Sequence, residues 1–191
     1  NWKEQGLLFP KTNLMHRNGV VLQDPSNQAV KVNGKFIMYL NSGLMAYSED
    51  LIHWQSKKIE AAWPGGECCQ AITNYSDQSS DNIVLFTGGG HGGSKELDIG
   101  TAWGKDHFYA IGEILFSKKN PEELLDILYQ PVLFAEEKYP WEFGKSATDP
   151  ERTISPFADC IFFNGITKHK GRWWLYYGGS EVYTCLATTP D

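Results

Sequence analysis

The chain has 191 residues, 41% of them hydrophobic and 14% aromatic, with 17 basic against 23 acidic side chains. That composition is too apolar for a disordered segment and long enough to bury a sizeable core. The mean hydropathy is −0.38, and no window approaches the ~18 consecutive apolar residues that a membrane helix needs. A net charge of −6, with no cluster of Lys or Arg to relieve it, argues against nucleic acid as a partner. The sequence opens on Asn1 with no basic-then-apolar leader. Localisation therefore stays open between the cytoplasm and the periplasm or exterior.

In chain order, the predicted elements are short β-rich runs bounded by turn residues. Val30-Lys31-Val32, Asn33-Gly34 and Lys35 to Leu40 read as strand, hairpin turn and strand. Ala71 to Asn74 and Ile83 to Phe86 form a second such pair. Cys160 to Phe163 and Arg172 to Gly178 form a third, closed by Lys170-Gly171. One helix is predicted, over Pro121 to Leu128, with Asn120 as N-cap, Pro at the first helical position and acids in the first turn. The four cysteines, Cys68, Cys69, Cys160 and Cys185, form no CxxC pair and read as structural thiols rather than disulfides or zinc ligands. No metal or cofactor is expected.

The segment after each hairpin repeats as well. Leu44-Met45-Ala46-Tyr47-Ser48-Glu49-Asp50-Leu51-Ile52-His53-Trp54, Ile114 to Glu122, and Cys185 to Asp191 each run from an apolar strand to a Ser or Thr, then to an acidic or Pro-bearing turn. Three such units read as blades of an all-β propeller, four strands apiece. Asn1-Trp2-Lys3-Glu4 resembles His53-Trp54-Gln55-Ser56, so residues 1–191 read as a partial propeller domain entered at one blade's outer strand. Propellers close with about four to eight blades. The remaining blades are expected from outside these residues or from a partner subunit, which leaves a homo-oligomer open.

The run Asn33-Gly34-Lys35-Phe36 through Ala46-Tyr47-Ser48-Glu49-Asp50-Leu51-Ile52-His53-Trp54 resembles the blade-closing motif of five-bladed propeller glycosidases. Further along, Asn120-Pro121, Pro131-Val132-Leu133, Glu136-Glu137-Lys138-Tyr139 and Glu142 are similar to a stretch of glycoside hydrolase family 130, the β-mannoside phosphorylases and mannosidases. Trp174 to Glu181 with Leu186-Ala187-Thr188 resembles that family's last blade motif. The resemblance implies a glycoside hydrolase acting on β-mannosides or related oligosaccharides by an inverting mechanism, with oligosaccharide as the partner. The alternatives are phosphorolysis, with inorganic phosphate as a second substrate, and a non-catalytic sugar-binding propeller. The family's phosphorylases carry Tyr-His-Gly at the second hairpin, where this chain has Phe86-Thr87-Gly88, and that departure favours hydrolysis.

Glycoside cleavage uses carboxyl groups, and acids near the starts of innermost strands face a propeller's central tunnel. Asp24, Glu67 and Asp159 are the candidate catalytic carboxylates on that ground. Glu181 stands where the family has a sugar-binding Asp, just beyond Tyr177, a second candidate substrate contact. Arg17 with His16 matches the position of the family's Lys, and the fork of an Arg suits hydroxyl pairs or an anion. His91, in a run of glycines, is a further candidate contact. Trp63, Trp103 and Trp141 lie in loops and are the expected sugar-stacking rings, because aromatic faces pack on C–H faces.

Overall fold

The computed structural model describes residues 2–10, 18–41, 43–61, 63, 67–75, 81–90, 109–128 and 130–190. It is all-β, and its strands fall into three consecutive units. The first comprises β1 (Val20–Gln23), β2 (Lys31–Val32), β3 (Lys35–Tyr39), β4 (Leu44–Ser48) and β5 (Trp54–Lys58). The second comprises β6 (Glu67–Thr73), β7 (Asn82–Gly90), β8 (Tyr109–Ser117) and β9 (Leu124–Ile127), and the third β10 (Ile161–His169), β11 (Arg172–Gly179) and β12 (Tyr183–Thr188). The first two join in one nine-stranded sheet, ordered β5-β4-β3-β1-β6-β7-β8-β9 with β2 paired to β3 off that path, while the third is a separate three-stranded sheet. The junction is a parallel pairing of inner strands, with Leu22 opposite Ala71 and Gln23 opposite Ile72. Meandering antiparallel blades whose inner strands run side by side are the propeller arrangement expected from the repeat.

Local chemistry accounts for the hairpins. Asn33-Gly34 and Lys170-Gly171 take positive φ at both positions, 52° and 80° in one and 49° and 81° in the other, as a two-residue turn of that hand requires. The Ser48 motif is a hydrogen-bonded lock. Ser48 Oγ accepts from the backbone of Asp50 and Leu51, Asp50 Oδ1 accepts from Ile52 and His53, and Trp54 Nε1 donates to Leu51 O at 3.0 Å. These bonds, led by His53, hold the Asp50 carboxyl well below the usual carboxylate range. The motif therefore fixes a blade's outer turn rather than a reaction.

Three expectations are corrected. Val30-Lys31-Val32 supplies only the two-residue β2. The innermost strand of the first blade is β1, with a loop from Asp24 onward interrupting its path to β2. Residues 121–128 are not a helix: a turn at Asn120–Glu123 leads into β9, which pairs with β8. An eight-residue helix is marginal by itself, and this turn is strapped to the first blade instead. Tyr39 donates to Pro121 O, Asn33 Nδ2 to Lys119 O, and both Tyr47 and Lys57 bond Glu122. Trp2, read from its match to Trp54 as part of an outer strand, lies in no strand and is wholly exposed, whereas Trp54 is buried.

Packing follows the gaps between blades. Leu22, Ile37, Met45, Trp63, Leu85 and Phe116 fill the first, with Trp63 edge-on to Phe116 at 5.6 Å. Val84, Phe86, Ile111, Ile161, Phe163, Trp173 and Leu175 fill the second. On the far side of the third blade Tyr176 and its register partner Leu186 are 42% and 46% exposed, an uncovered apolar face of the kind that packs between blades elsewhere in the fold. Among the described residues no helix is long and apolar enough to cross a membrane.

At the second gap the Tyr75 ring stacks on Trp173 at 4.8 Å, and Trp173 Nε1 donates to Tyr75 O at 2.9 Å. Glu113 hydrogen-bonds the Tyr75 hydroxyl, and its burial raises the carboxyl from 4.5 to about 7. A carboxyl raised in the folded state binds its proton more tightly there than in the unfolded chain, so folding is favoured below pH 4.5 and loses that advantage as pH rises through about 7. The expected loss is at most about 3 kcal/mol. Urea denaturation at pH 5 and pH 8 should show it as a difference between wild type and Glu113→Gln, the variant being the less sensitive to pH.

Candidate active site

The parallel inner strands decide which residues share a rim. Glu67 opens β6, Asp159 lies just ahead of β10, and Tyr109 opens β8, which runs parallel to β6 across β7. The blades meet here: Tyr109 pairs with Cys160 in an isolated parallel bridge, and its N–H donates to Asp159 O at 3.1 Å. Glu181 joins them from the β11–β12 turn, where the N–H of Ser180 donates to Cys160 O at 2.8 Å. Glu67, Asp159 and Glu181, three of the carboxylates picked from sequence, are thus collected along one rim.

Glu67 faces the third blade because β6 carries a bulge between Cys68 and Gln70. Simple alternation from Ile72 would turn Glu67 toward the first blade. The extra residue reverses the face, so that Cys68 enters the first interblade core while Glu67 lies opposite Gly88 on the other side. All four cysteines are free thiols, and the vicinal pair is the bulge itself.

Thiols and phenols along the rim record its negative field. Burial, then the charge of Glu67, pushes Cys69 up to about 12. Burial, followed by the charge and hydrogen bond of Glu67, raises the Tyr109 phenol to about 12, with Cys160 and Cys69 adding to it. Burial, followed by the charges of Glu181 and Asp159, raises Cys160 to about 11. The charged neighbours acting on these three groups are all acidic. Among the described residues no three His, Cys, Asp or Glu side chains gather as a metal-binding group.

Backbone strain concentrates here too. Asp159, Ser180 and Glu181 have φ of 52°, 48° and 60°, a region disfavoured for side chains other than glycine. Ser180 is fully buried and holds the turn: Gly144 N donates to its Oγ at 2.8 Å and Ser155 Oγ to its carbonyl at 2.7 Å. Gly144, itself at φ 71°, closes the short 3₁₀ turn Pro140–Phe143 and lies against Ser155, where a Cβ would clash. Within that turn Glu142 is buried, accepting from Glu136 N at 2.9 Å and from Tyr177 OH at 2.6 Å.

Two predicted site residues are placed elsewhere. Asp24 follows the far end of β1, beside Thr73 in the register, so Glu67 is about 20 Å away along β6. Its Oδ1 accepts from Ser26 N, Ser26 Oγ and Gln28 N, bonds that favour the ionised carboxylate and close a local turn. Asp24 therefore does not join the rim. Tyr177 is buried in the second core with its hydroxyl on Glu142, behind the rim rather than on it. His16, Arg17, His91 and Trp103 lie outside the described residues. Trp63 is buried and so is not a stacking ring, whereas Trp141 stands with Tyr139 and Tyr183 along a groove of about 500 Å³ beside β12. Tyr109 and Ser180 were not singled out from sequence. The only local signal for Tyr109 is an aromatic residue opening an apolar strand.

No protein-family model matches the sequence, and a comparison with curated proteins finds no match. Solved structures do match. A glycosyl hydrolase from Bacteroides ovatus is 25% identical over the whole chain, with a TM-score of 0.67. A structure from the glycoside hydrolase 130 family of mannoside phosphorylases, which contains glycoside hydrolases that target β-1,2 mannosidic linkages in Candida mannan, is 24% identical over the whole chain, with a TM-score of 0.71. The β-1,2-mannobiose phosphorylase of Listeria innocua is 18% identical over 96% of the chain, with a TM-score of 0.58. The chain spans 55%, 55% and 45% of those three chains respectively. Its fold is that of a propeller-type glycosidase, present in part. The resemblance to family 130 read from the motifs is upheld in the fold.

Relief of strain gives a test of Glu181. Glycine takes φ 60° without steric cost, so Glu181→Gly should raise stability by about 0.5–1 kcal/mol in chemical denaturation. If the carboxylate serves a ligand, the same variant should bind sugar more weakly.

Proposed function

We propose that this chain carries part of the active site of a glycoside hydrolase acting on β-mannosides, by hydrolysis with inversion in preference to phosphorolysis. The observation that carries the reading is the collection of Glu67, Asp159 and Glu181 on one rim of a propeller-type glycosidase fold. An inverting cleavage sets one carboxylic acid to protonate the leaving oxygen and one carboxylate to activate water on the opposite face. Glu67 and Asp159 are the carboxylates proposed for this chemistry, with Glu181 receiving sugar hydroxyls. His16, Arg17 and His91 stay proposed substrate contacts.

Two features favour water over phosphate. Thr87 occupies the position where the family's phosphorylases place an imidazole, and it is fully buried. The charged neighbours acting on Tyr109, Cys69 and Cys160 are acidic, a field that opposes a polyanion. The fold neighbours include a β-1,2-mannobiose phosphorylase, so the two reactions have to be separated by assay.

Incubated with β-1,2-mannobiose, the protein should release mannose at a rate independent of inorganic phosphate. Glu67→Gln should lower kcat/KM by about a hundredfold or more. Phosphate-dependent formation of mannose 1-phosphate would overturn the hydrolytic reading, and unchanged turnover in Glu67→Gln would remove Glu67 from the chemistry.

A further inference from the structure

Tyr109 is fixed from three directions. Its backbone is tied to the third blade through Asp159 O and the bridge to Cys160. Its ring meets Phe162 of β10 at a centroid distance of 5.8 Å. Although it pairs with Gly90 in the ladder, the ring leans back along β7: a Cβ on Gly88 would lie 3.9 Å from Tyr109 Cε1. Gly88 is the register partner of Glu67. The ring therefore crosses β7 over a residue with no side chain, and its hydroxyl arrives at the Glu67 carboxylate.

We infer that Tyr109 is a positioning residue for Glu67, holding one carboxylate oxygen by its hydroxyl so that the other is presented to the ligand at the rim. This rests on the reading of the rim as a sugar site. An ionised carboxylate only accepts hydrogen bonds and a phenol has one proton to donate, so the pairing occupies a single oxygen and fixes the orientation of the other. Glu67 begins a strand and is half-buried, so its side chain has rotamers to lose. A partner held by two blades selects among them, as supporting residues do in preorganised sites. The same tyrosine binds the rim of the second blade to that of the third, so the spacing of Glu67 and Asp159 depends on it.

Tyr109→Phe keeps the ring and removes only the hydroxyl. In carbon-13 spectra the Cζ resonance of Tyr109, identified by its loss in Tyr109→Phe, should move in Glu67→Ala and stay in place in Asp24→Asn. A resonance unmoved by Glu67→Ala overturns the inference whether or not sugar binds. Calorimetry with β-1,2-mannobiose supplies the functional arm. Tyr109→Phe should weaken binding about five- to tenfold, Glu67→Ala should weaken it further, and the double variant should bind no worse than Glu67→Ala alone. Strictly additive losses would overturn the positioning role. A wild-type protein that does not hold the mannobiose sinks the mannoside reading, while the Cζ comparison still decides the pairing.

Discussion

Leu22 beside Ala71 and Gln23 beside Ile72, running in parallel, join two antiparallel blades into one sheet, and the arrangement of the rim depends on that junction. A parallel pair puts the starts of both strands at the same end. Every second strand outward from β6 begins there as well, which is how Tyr109 of β8 reaches the level of Glu67. Had the inner strands paired antiparallel, the residues ahead of β1 would lie at the opposite end from Glu67. The third blade keeps the direction through the Tyr109–Cys160 bridge, so that Asp159 arrives at the same rim.

The two ends of the blades are built by opposite physical means. At the outer turns, Ser48 and Asp50 satisfy four backbone donors, and Trp54 buries its ring while its N–H reaches Leu51 O. These contacts lower free energy locally, and Ser117 Oγ accepts from Asn120 N at the matching turn of the second blade. At the rim, Asp159, Ser180 and Glu181 sit in left-handed backbone that their side chains disfavour, and buried Ser180 uses its hydroxyl and carbonyl to hold the turn against that tendency. Strain retained by surrounding hydrogen bonds is what a site under geometric demand looks like.

The hairpins were legible because their determinants are adjacent in sequence: Asn33-Gly34 and Lys170-Gly171 specify the turn without help from the rest of the chain. The repeat was legible for the same reason, since the Ser48 lock is contained within seven residues. The features that escaped sequence reading depend on partners far along the chain. The run after Asn120 has sound helix-start chemistry, yet Tyr39, Asn33 and Lys57 claim its turn from 65 to 86 residues away. Asp24 has the residue type of a catalytic acid, but its place was judged from β2, whereas β1 is the strand that pairs with β6. Glu67 stands at the start of an inner strand, as its place in the repeat suggests, while the bulge that aims it shows only in the pairing of β6 with β7.

The chemistry behind the rim narrows what it can receive. Tyr177 donates a hydrogen bond to buried Glu142, and that carboxylate also accepts from Glu136 N, so the pair is internally satisfied. The charge at the rim comes instead from Glu67, Asp159 and Glu181, which add to the burial that raises the thiols and the phenol among them. Another anion entering that field gains little from any described neighbour. A neutral polyol donates hydroxyl protons to carboxylate oxygens that would otherwise repel one another, and such charge-assisted bonds are about twice as strong as neutral ones. On the proposed reading, selectivity for sugar over anion therefore arises from crowding acids on one rim, and the Tyr109 hydroxyl decides which oxygen of Glu67 is offered.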